Sequence, residues 1–390
     1  MRLSGLQEGA WQTPPDPEEA EVSVFGPGEG ESLVVHLGDG EWMIVDSCKD
    51  LDTGHAVAID YLTAIGVDIG SKVSVIVATH WHDDHIKGLA EIVKMAEAAT
   101  FFCPAALKTQ DFLYLVQAYG RRTMMSLPST AEFEQILETM ALRRSKRQAP
   151  NVQTVVAHTI VWRNGALKRV EALSPSQTAV QRGLVEIASL VAAIGPKAKL
   201  TSRSANENSI VLLSVVEGAR ALLGGDLQEE ETPVAGWSEI LSSPQRCPER
   251  ANLFKAAHHG ADNADHPAIW SDLLLPEASV GVTSYAGGVR PRPESADINR
   301  IVGQAGEAYL TSAPVAPRSA RREPSAERLL RHRAHRVEEL ERRMGHIRFR
   351  RIISSDETAR WSVELFGGAK VLATVPDVPT RPRKARRGAR

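Results

Sequence analysis

The sequence predicts a mixed α/β fold, because short apolar strands alternate with segments of helical spacing along most of the chain. Three apolar runs lie between glycine-bearing turns, as is typical of a meander of strands: residues 21–25, 32–37 and 41–45. Helical spacing at 55–65 and 88–98 flanks a β-branched run at 73–79, which predicts a buried strand between two helices. Later strands are predicted at 101–103, 152–162, 167–174, 209–216, 220–224 and within 345–373, and later helices at 105–149 and 179–194.

A cluster of metal-binding residue types follows the predicted strand 73–79. It contains three histidines and an aspartate within six positions: His80, His82, Asp84 and His85. His80 and His82 stand two positions apart on extended backbone and therefore project to the same side. Asp84 and His85 come after the chain turns, so they approach from a second direction. Imidazole and carboxylate are preferred ligands of zinc and its neighbours, and the cluster predicts a metal site with room for a second ion.

Two further ligands are predicted later in the chain. Two divalent ions a few ångströms apart repel each other strongly unless a carboxylate lies between them. Asp226 fits that role, because it ends the apolar run 221–225 and follows two glycines that let the backbone approach the ions closely. His258 and His259, directly before Gly260, supply imidazole for the last ligand, and either histidine fits.

Residues 79–85 read Thr-His-Trp-His-Asp-Asp-His and match the His-x-His-x-Asp-His signature of the metallo-β-lactamase superfamily, which this chain resembles. The resemblance implies an αββα sandwich with metals at one edge, followed here by a C-terminal extension. Within the superfamily, the order of the other motifs looks like the soluble domain of ComEC-type competence proteins and their stand-alone relatives. Those motifs lie at 23–35, 39–46, 206–212, 225–226 and 258–260. One departure from that branch is Ala261, where serine is usual.

The resemblance also implies roles for individual side chains. His259, which precedes the glycine, resembles the final metal ligand of the family. His258 is then an outer contact or the proton donor to a leaving group, although the two histidines can exchange roles. Asp46, at the end of an earlier strand, would support the metal motif from behind.

The family commonly supplies a third histidine to the first ion, and the candidate here is His158. Its setting in an apolar strand favours a structural role instead. The first ion would then be held by His80, His82 and Asp226 alone. We therefore expect two divalent ions, with zinc as the expected metal and manganese as a second candidate.

Hydrolysis by a metal-bridged hydroxide is the chemistry that such a centre predicts. Two ions lower the pKa of bound water from about 16 towards about 7 and neutralise charge on the reacting group, which suits phosphodiesters. Asp84, Asp226 and His258 are the predicted catalytic residues. Candidate substrate contacts lie just before the strand that leads to Asp226: Asn206, Asn208 and Ser209. The predicted function is that of a phosphodiesterase or nuclease, with nucleic acid or a nucleotide as candidate partner.

Two other functions stay open at this point. The same centre could hydrolyse a carboxylic ester, a thioester or a lactam. A different class is a binding or scaffold protein with a catalytically weak site, acting through its basic C-terminal region on nucleic acid or a partner. The arginines at 318–343 and 381–390 motivate that interpretation, although no aromatic residues are interleaved with them.

Four segments are predicted from composition. Residues 1–20 form a proline-bearing flexible lead-in, and 21–313 form the hydrolase domain. Residues 314–375 hold an arginine-rich helix and strands that pack on the domain or extend it. Residues 376–390 are a basic tail, predicted to be disordered.

Composition restricts the partners and the compartment. A net charge of −2 over 390 residues gives no overall field that would draw the protein onto nucleic acid, so such binding must be local. The three cysteines have no metal spacing and their odd number argues against a disulfide framework, which favours a reducing compartment. No run approaches the length of a membrane span, and a cytoplasmic location without membrane contact is expected.

Overall fold

The computed structural model describes the following residues: 10–27, 30–50, 52–108, 128–145, 152–192, 203–230, 234–287, 290–313 and 344–374. Within this part of the chain, two sheets of eight strands each form the centre of the molecule.

The first sheet joins the N-terminal strands to two strands from the C-terminal segment. Its strands are β1 (Glu19–Gly26), β2 (Ser32–His36), β3 (Trp42–Val45), β4 (Val73–Val77), β5 (Thr100–Pro104), β6 (Val152–Val155), β14 (Gly345–Ile352) and β15 (Ser362–Gly367). Their order is β15-β14-β1-β2-β3-β4-β5-β6. The pairs from β3 to β6 are parallel, whereas β1, β2 and β14 pair with their neighbours in antiparallel fashion.

The second sheet is built from the middle of the chain and one late strand. Its strands are β7 (Ile160–Asn164), β8 (Lys168–Ala172), β9 (Leu212–Val216), β10 (Ala219–Leu223), β11 (Ala251–Lys255), β12 (Leu274–Val282), β13 (Glu307–Leu310) and β16 (Lys370–Val371). Their order is β16-β13-β12-β11-β10-β9-β8-β7. The strands β10 to β13 are parallel to one another.

Helices connect the strands and cover the outer faces of the two sheets. They are α1 (Val57–Ala64), α2 (Ile69–Lys72), α3 (Asp83–Ile86), α4 (Leu89–Met95), α5 (Pro128–Ser145), α6 (Gln177–Ala192), α7 (Arg203–Glu207), α8 (Gly236–Ser242) and α9 (Ser295–Gln304). None of these helices combines the length and the apolar composition that crossing a membrane requires.

Alternation along the strands explains the layered packing. In β3 and β4, Met43 and Val75 face the second sheet, while Ile44 and Ile76 belong to the cluster that packs against helices. A third apolar cluster, which includes Trp237 of α8, lies on the outer face of the second sheet. Each sheet therefore buries both of its faces, and the predicted αββα sandwich is confirmed.

One predicted strand, 152–162, is two strands in the structure. β6 ends at Val155 in the first sheet and β7 begins at Ile160 in the second. The turn between them places His158 in the left-handed region, with φ of 70°. Because the segment has no glycine or proline, its apolar pattern gave no signal of this crossing.

Regular structure starts before the predicted boundary at residue 21. β1 begins at Glu19, and the side chain of Trp11 is buried. Arg348 of β14 donates hydrogen bonds to the backbone carbonyls of Trp11 (3.0 Å) and Thr13 (3.3 Å). The part of the predicted lead-in from residue 10 onwards is therefore fixed to the sandwich, by an arginine that local composition could not reveal. Residues 1–9 lie outside the described residues.

The C-terminal strands belong to both sheets. β14 pairs with β1 along its whole length, and Phe349 on β14 reaches the core between the sheets. β16 pairs with β13 at the edge of the second sheet. The arginine-rich helix predicted within 314–343 and the tail predicted at 376–390 lie outside the described residues.

The packing of β14 can be tested with Phe349→Ala. Phe349 is fully buried, so truncation should lower the free energy of unfolding by about 3–5 kcal/mol. Ile352→Ala on the same strand is the matched control, because Ile352 is 67% exposed and should change it by less than about 0.5 kcal/mol. Urea denaturation measures both, and an equal effect of the two variants would contradict the placement of β14 in the core.

Candidate metal centre

The candidate ligands follow the carboxyl ends of parallel strands in both sheets. Asp46 follows β3, and the motif from His80 to His85 follows β4 and enters α3. On the second sheet, Asp226 follows β10 and His259 follows β11. Because parallel strands end at one edge of a sheet, this topology gathers side chains that are far apart in sequence.

The first group of candidate ligands contains His80, His82 and Asp226. Nε2 of His80 lies 3.0 Å from Nδ1 of His82 and 3.8 Å from Oδ2 of Asp226. One ligand atom of each residue lies within 4.8 Å of the other two, as three ligands of one ion would.

The second group contains His85, His259 and Asp84, together with the same Asp226. Nε2 of His85 lies 3.3 Å from Oδ2 of Asp226 and 3.9 Å from Oδ2 of Asp84. Nε2 of His259 lies 3.4 Å from Oδ2 of Asp84. The predicted ligands of the second ion are therefore together, and Asp226 is common to both groups.

Unpaired polar atoms show that the second group fits a cation. Nε2 of His85, Nε2 of His259 and Oδ1 of Asp226 are buried and make no hydrogen bond. An unpaired buried polar atom costs about 1–3 kcal/mol, so these atoms need a partner. A divalent ion coordinated by them would supply one.

Asp46 contacts the metal motif from behind. Its carboxylate accepts hydrogen bonds from the backbone N–H of Thr79 (2.7 Å) and from the Thr79 hydroxyl (2.6 Å). Its Oδ2 also lies 2.7 Å from Nδ1 of His85. This contact turns the other ring nitrogen of His85 towards Asp226.

Burial and neighbouring charge determine the protonation of the ligands. Burial lowers the pKa of His80 well below its ordinary value, with further lowering by His85 and His82. Burial also lowers the pKa of His82. These two imidazoles are neutral, the form that binds a metal.

His85 and Asp226 behave as an ion pair. Burial alone would lower the pKa of His85, but the carboxylates of Asp226, Glu31 and Asp46 outweigh it and raise that pKa well above its ordinary value. Burial opposes ionisation of Asp226, yet His85 and His259 hold its pKa well below the usual range. The aspartate is thus available as an anionic ligand, and a metal would displace the proton from His85.

Three buried residues beside the ligands were not predicted as site residues: Glu31, Lys255 and Thr283. The ammonium of Lys255 contacts the carboxylate of Glu31, which also accepts a hydrogen bond from the Thr283 hydroxyl (2.6 Å). A lysine that ends the apolar run 251–255 was the one signal in the sequence, since a buried lysine requires a buried partner.

His158 belongs to neither ligand group. It lies in the turn between β6 and β7, where its Nε2 is 3.1 Å from the Ser243 hydroxyl and its Nδ1 is 3.5 Å from Glu171. Within the described residues, the first group therefore contains two histidines and one aspartate.

His258 lies beside the centre among side-chain amides. Its backbone N–H donates to the carbonyl of Gly225 (3.0 Å), which keeps it next to Asp226. Its ring nitrogens lie 3.5 Å from Nδ2 of Asn206 and 3.3 Å from Nε2 of Gln228. Burial lowers the pKa of His258, so the ring is neutral.

Two of the three predicted substrate contacts are buried and make hydrogen bonds within the protein. Asn208 is fully buried and donates from Nδ2 to the carbonyl of Ala179 at the start of α6 (3.1 Å). Ser209 is also fully buried, and its hydroxyl accepts a hydrogen bond from the backbone N–H of Asp226 (2.9 Å). Ser209 therefore fixes the position of Asp226, and Asn206 alone remains next to His258.

Metal content should respond differently to two histidine substitutions. His82→Ala removes one of three candidate ligands of the first group and should lower the zinc content of the purified protein. His158→Ala should leave it unchanged, because His158 contacts Ser243 and Glu171 instead. Elemental analysis of both proteins is the measurement, and a loss of zinc on His158→Ala would show that the ligand assignment is wrong.

Residues 25–149 match the model of the metallo-beta-lactamase superfamily. No curated protein matches the chain. One similar solved structure is the metallo-beta-lactamase SMB-1 bound to 2-mercaptoethanesulfonate, with 16% identity, 64% of this chain and 82% of that chain covered, and a TM-score of 0.32.

Two further solved structures are also similar to this chain. Human tRNase Z, short form, has 13% identity, with 60% of this chain and 77% of that chain covered and a TM-score of 0.32. The metallo-beta-lactamase fold protein YhfI from Bacillus subtilis has 11% identity, with 75% and 85% covered and a TM-score of 0.34. Residues 25–149, the part of the chain that matches the superfamily model, include the metal motif, and the αββα sandwich is the fold that this resemblance predicts.

Proposed function

We propose that the chain is a metal-dependent hydrolase with a centre for two divalent ions. The observation that carries this proposal is the position of Asp226. Its Oδ2 lies 3.8 Å from Nε2 of His80 and 3.3 Å from Nε2 of His85, so one carboxylate is shared by two groups of ligands. A shared carboxylate is what two neighbouring cations need in order to offset their repulsion.

The residues divide between the two ions as follows. His80, His82 and Asp226 would hold the first ion. Asp84, His85, His259 and Asp226 would hold the second. When bound, the two ions make hydroxide available from water near neutral pH and stabilise negative charge on the reacting group. Zinc suits the imidazole-rich donors, and the smaller number of donors in the first group suits exchange with manganese.

The proposed substrate is a phosphodiester. This part of the proposal is supported by the resemblance to the ComEC-type branch and by the polar groups next to Asp226. Asn206 and Gln228 have amide N–H groups next to the neutral imidazole of His258, and such neutral donors can bind the non-bridging oxygens of a phosphodiester. We therefore assign His258 a contact with the substrate rather than with a metal.

A substrate panel tests the class of reaction. Zinc-loaded and manganese-loaded protein is assayed on DNA, RNA, cyclic nucleotides and a simple phosphodiester, and in parallel on esters, thioesters and lactams. Turnover of a phosphodiester supports the proposal. Turnover of acyl substrates alone would identify an acyl hydrolase, and less than about one ion per chain after purification without chelator would contradict the metal centre.

Asp226→Asn should abolish both metal retention and turnover. The amide carries no charge to offset two cations, so we expect loss of metal and a fall in kcat of at least about 100-fold. Asp39→Asn is the control, because Asp39 is on the surface, pairs with Lys168 and lies outside both ligand groups. Full metal content and full activity in Asp226→Asn would refute the shared carboxylate.

His258→Gln separates a substrate contact from a metal ligand. If His258 contacts the substrate, kcat should fall by about 100-fold while the zinc content stays at the wild-type value. A loss of zinc in this variant, with zinc retained in His259→Gln, would reverse the roles of the two histidines. Elemental analysis and steady-state kinetics on the same preparations decide between the outcomes.

A further inference from the structure

We propose that Glu31, Lys255 and Thr283 are positioning residues that present Nε2 of His259 to the metal. The inference rests on the proposed metal centre. It is based on a chain of hydrogen bonds that runs from the buried pair of Glu31 and Lys255, through the Thr283 hydroxyl, to the ring of His259.

The number of protons in this chain determines the tautomer of His259. The Thr283 hydroxyl has a single proton, which it donates to Oε2 of Glu31 (2.6 Å). The hydroxyl oxygen lies 3.1 Å from Nδ1 of His259 and must therefore accept from that nitrogen. Nδ1 therefore carries a proton, and a neutral ring leaves its lone pair on Nε2. Nε2 is the buried atom that makes no hydrogen bond and lies 3.4 Å from Asp84.

The first sheet contains a matching arrangement. The Thr79 hydroxyl donates to Oδ2 of Asp46 (2.6 Å) and lies 3.0 Å from Nδ1 of His80, so His80 also has its proton on Nδ1. Nε2 of His80 then faces Asp226. A threonine between a buried carboxylate and a ligand histidine thus occurs once on each sheet.

Lys255 stabilises the buried carboxylate of Glu31. Glu31 and Lys255 are both almost completely inaccessible to solvent, and a buried charge without a partner is strongly unfavourable. Lys255 ends β11, the strand that leads to His259, and its ammonium also lies 3.4 Å from the carbonyl of Gly225, next to Asp226. The lysine therefore links Glu31 of the first sheet to both ligand-bearing ends of the second.

Glu31 is near enough to the second ligand group to be considered a ligand itself. Its oxygens, however, face the Nδ1 edges of His85 and His259, each at 3.8 Å. They are also occupied by Lys255 and Thr283, whereas the free Nε2 atoms point away from them towards Asp226 and Asp84. This geometry points to Glu31 as a support for the imidazole, a role that carboxylates often have behind metal-bound histidines.

The test uses full-length protein with ¹⁵N-labelled histidine and Thr283→Val, which keeps the shape of the side chain and removes the hydroxyl. Long-range ¹H–¹⁵N spectra of the metal-free protein report the tautomer of His259, assigned by its absence in His259→Gln. We expect the Nδ1–H tautomer in the wild type and a mixture in Thr283→Val. The dissociation constant for zinc should rise by roughly 10–100-fold.

Three further variants serve as controls. Thr283→Ser retains the hydroxyl and should restore both the tautomer and the zinc affinity. Thr311→Val removes a buried hydroxyl that contacts the backbone of Ser284 and no candidate ligand, and it should change neither. Thr283→Ala is a second hydroxyl-free variant if the valine variant does not fold.

The outcomes distinguish this inference from the proposed function. If the wild type binds zinc and Thr283→Val retains both the Nδ1–H tautomer and the wild-type affinity, the positioning role is refuted. If the wild type binds no metal ion, the proposed function fails. A change of tautomer in metal-free Thr283→Val would in that case still support the hydrogen-bond chain.

Discussion

The candidate metal centre at the edge of this sandwich depends on three carboxylates that are buried close to one another. Asp46 and Glu31 belong to the first sheet and Asp226 to the second, and all three are almost fully inaccessible to solvent. Buried charges of one sign are tolerated only when cations or strong hydrogen bonds offset them. Here His85 contacts Asp46 and Asp226, and Lys255 contacts Glu31. Because these partners come from opposite sheets, the electrostatic balance of the centre requires that the two sheets stay together.

The backbone at the ends of β3 and β11 adopts uncommon conformations that place side chains of the candidate site. Asp46, His258 and His259 have φ of 58°, 46° and 57°, in the left-handed region that residues other than glycine rarely adopt. Such conformations cost of the order of 1–3 kcal/mol each and persist only where the surrounding structure determines them. Parallel strands with three packed apolar layers provide that support, since β11 is buried along its length and holds the base of the His258 and His259 turn. The stability of the sandwich is in this sense a condition for the geometry of the site.

Sequence patterns identified those site residues that lie close together along the chain or in a recognisable motif. His80, His82, Asp84 and His85 follow one strand within six positions, and Asp226 ends an apolar run, so local patterns indicated them, whereas His259 was indicated by the resemblance of its His-Gly motif. Lys255 and Thr283 contact Glu31 only because the start of β2 and the ends of β11 and β12 lie at the same edge, and no short-range pattern contains that information. Asn208 and Ser209 have polar side chains in a turn-like segment, but the fold buries them as supports of α6 and Asp226. The single strand predicted at 152–162 was wrong, because its largely apolar pattern concealed a crossing between the two sheets at His158.

The two ligand groups differ in how many of their histidines have a hydrogen-bond partner that orients the ring. His85 and His259 are both backed by carboxylates, directly through Asp46 and indirectly through Thr283 and Glu31, and Asp84 adds a further anionic donor. In the other group only His80 has such backing, through Thr79, while Nε2 of His82 is buried without a hydrogen bond. Since orientation and basicity of an imidazole both follow from the partner of its second nitrogen, an ion held by His85 and His259 has the better-defined ligands. The proposed centre is therefore asymmetric, and its more weakly held ion would be the one next to His80 and His82.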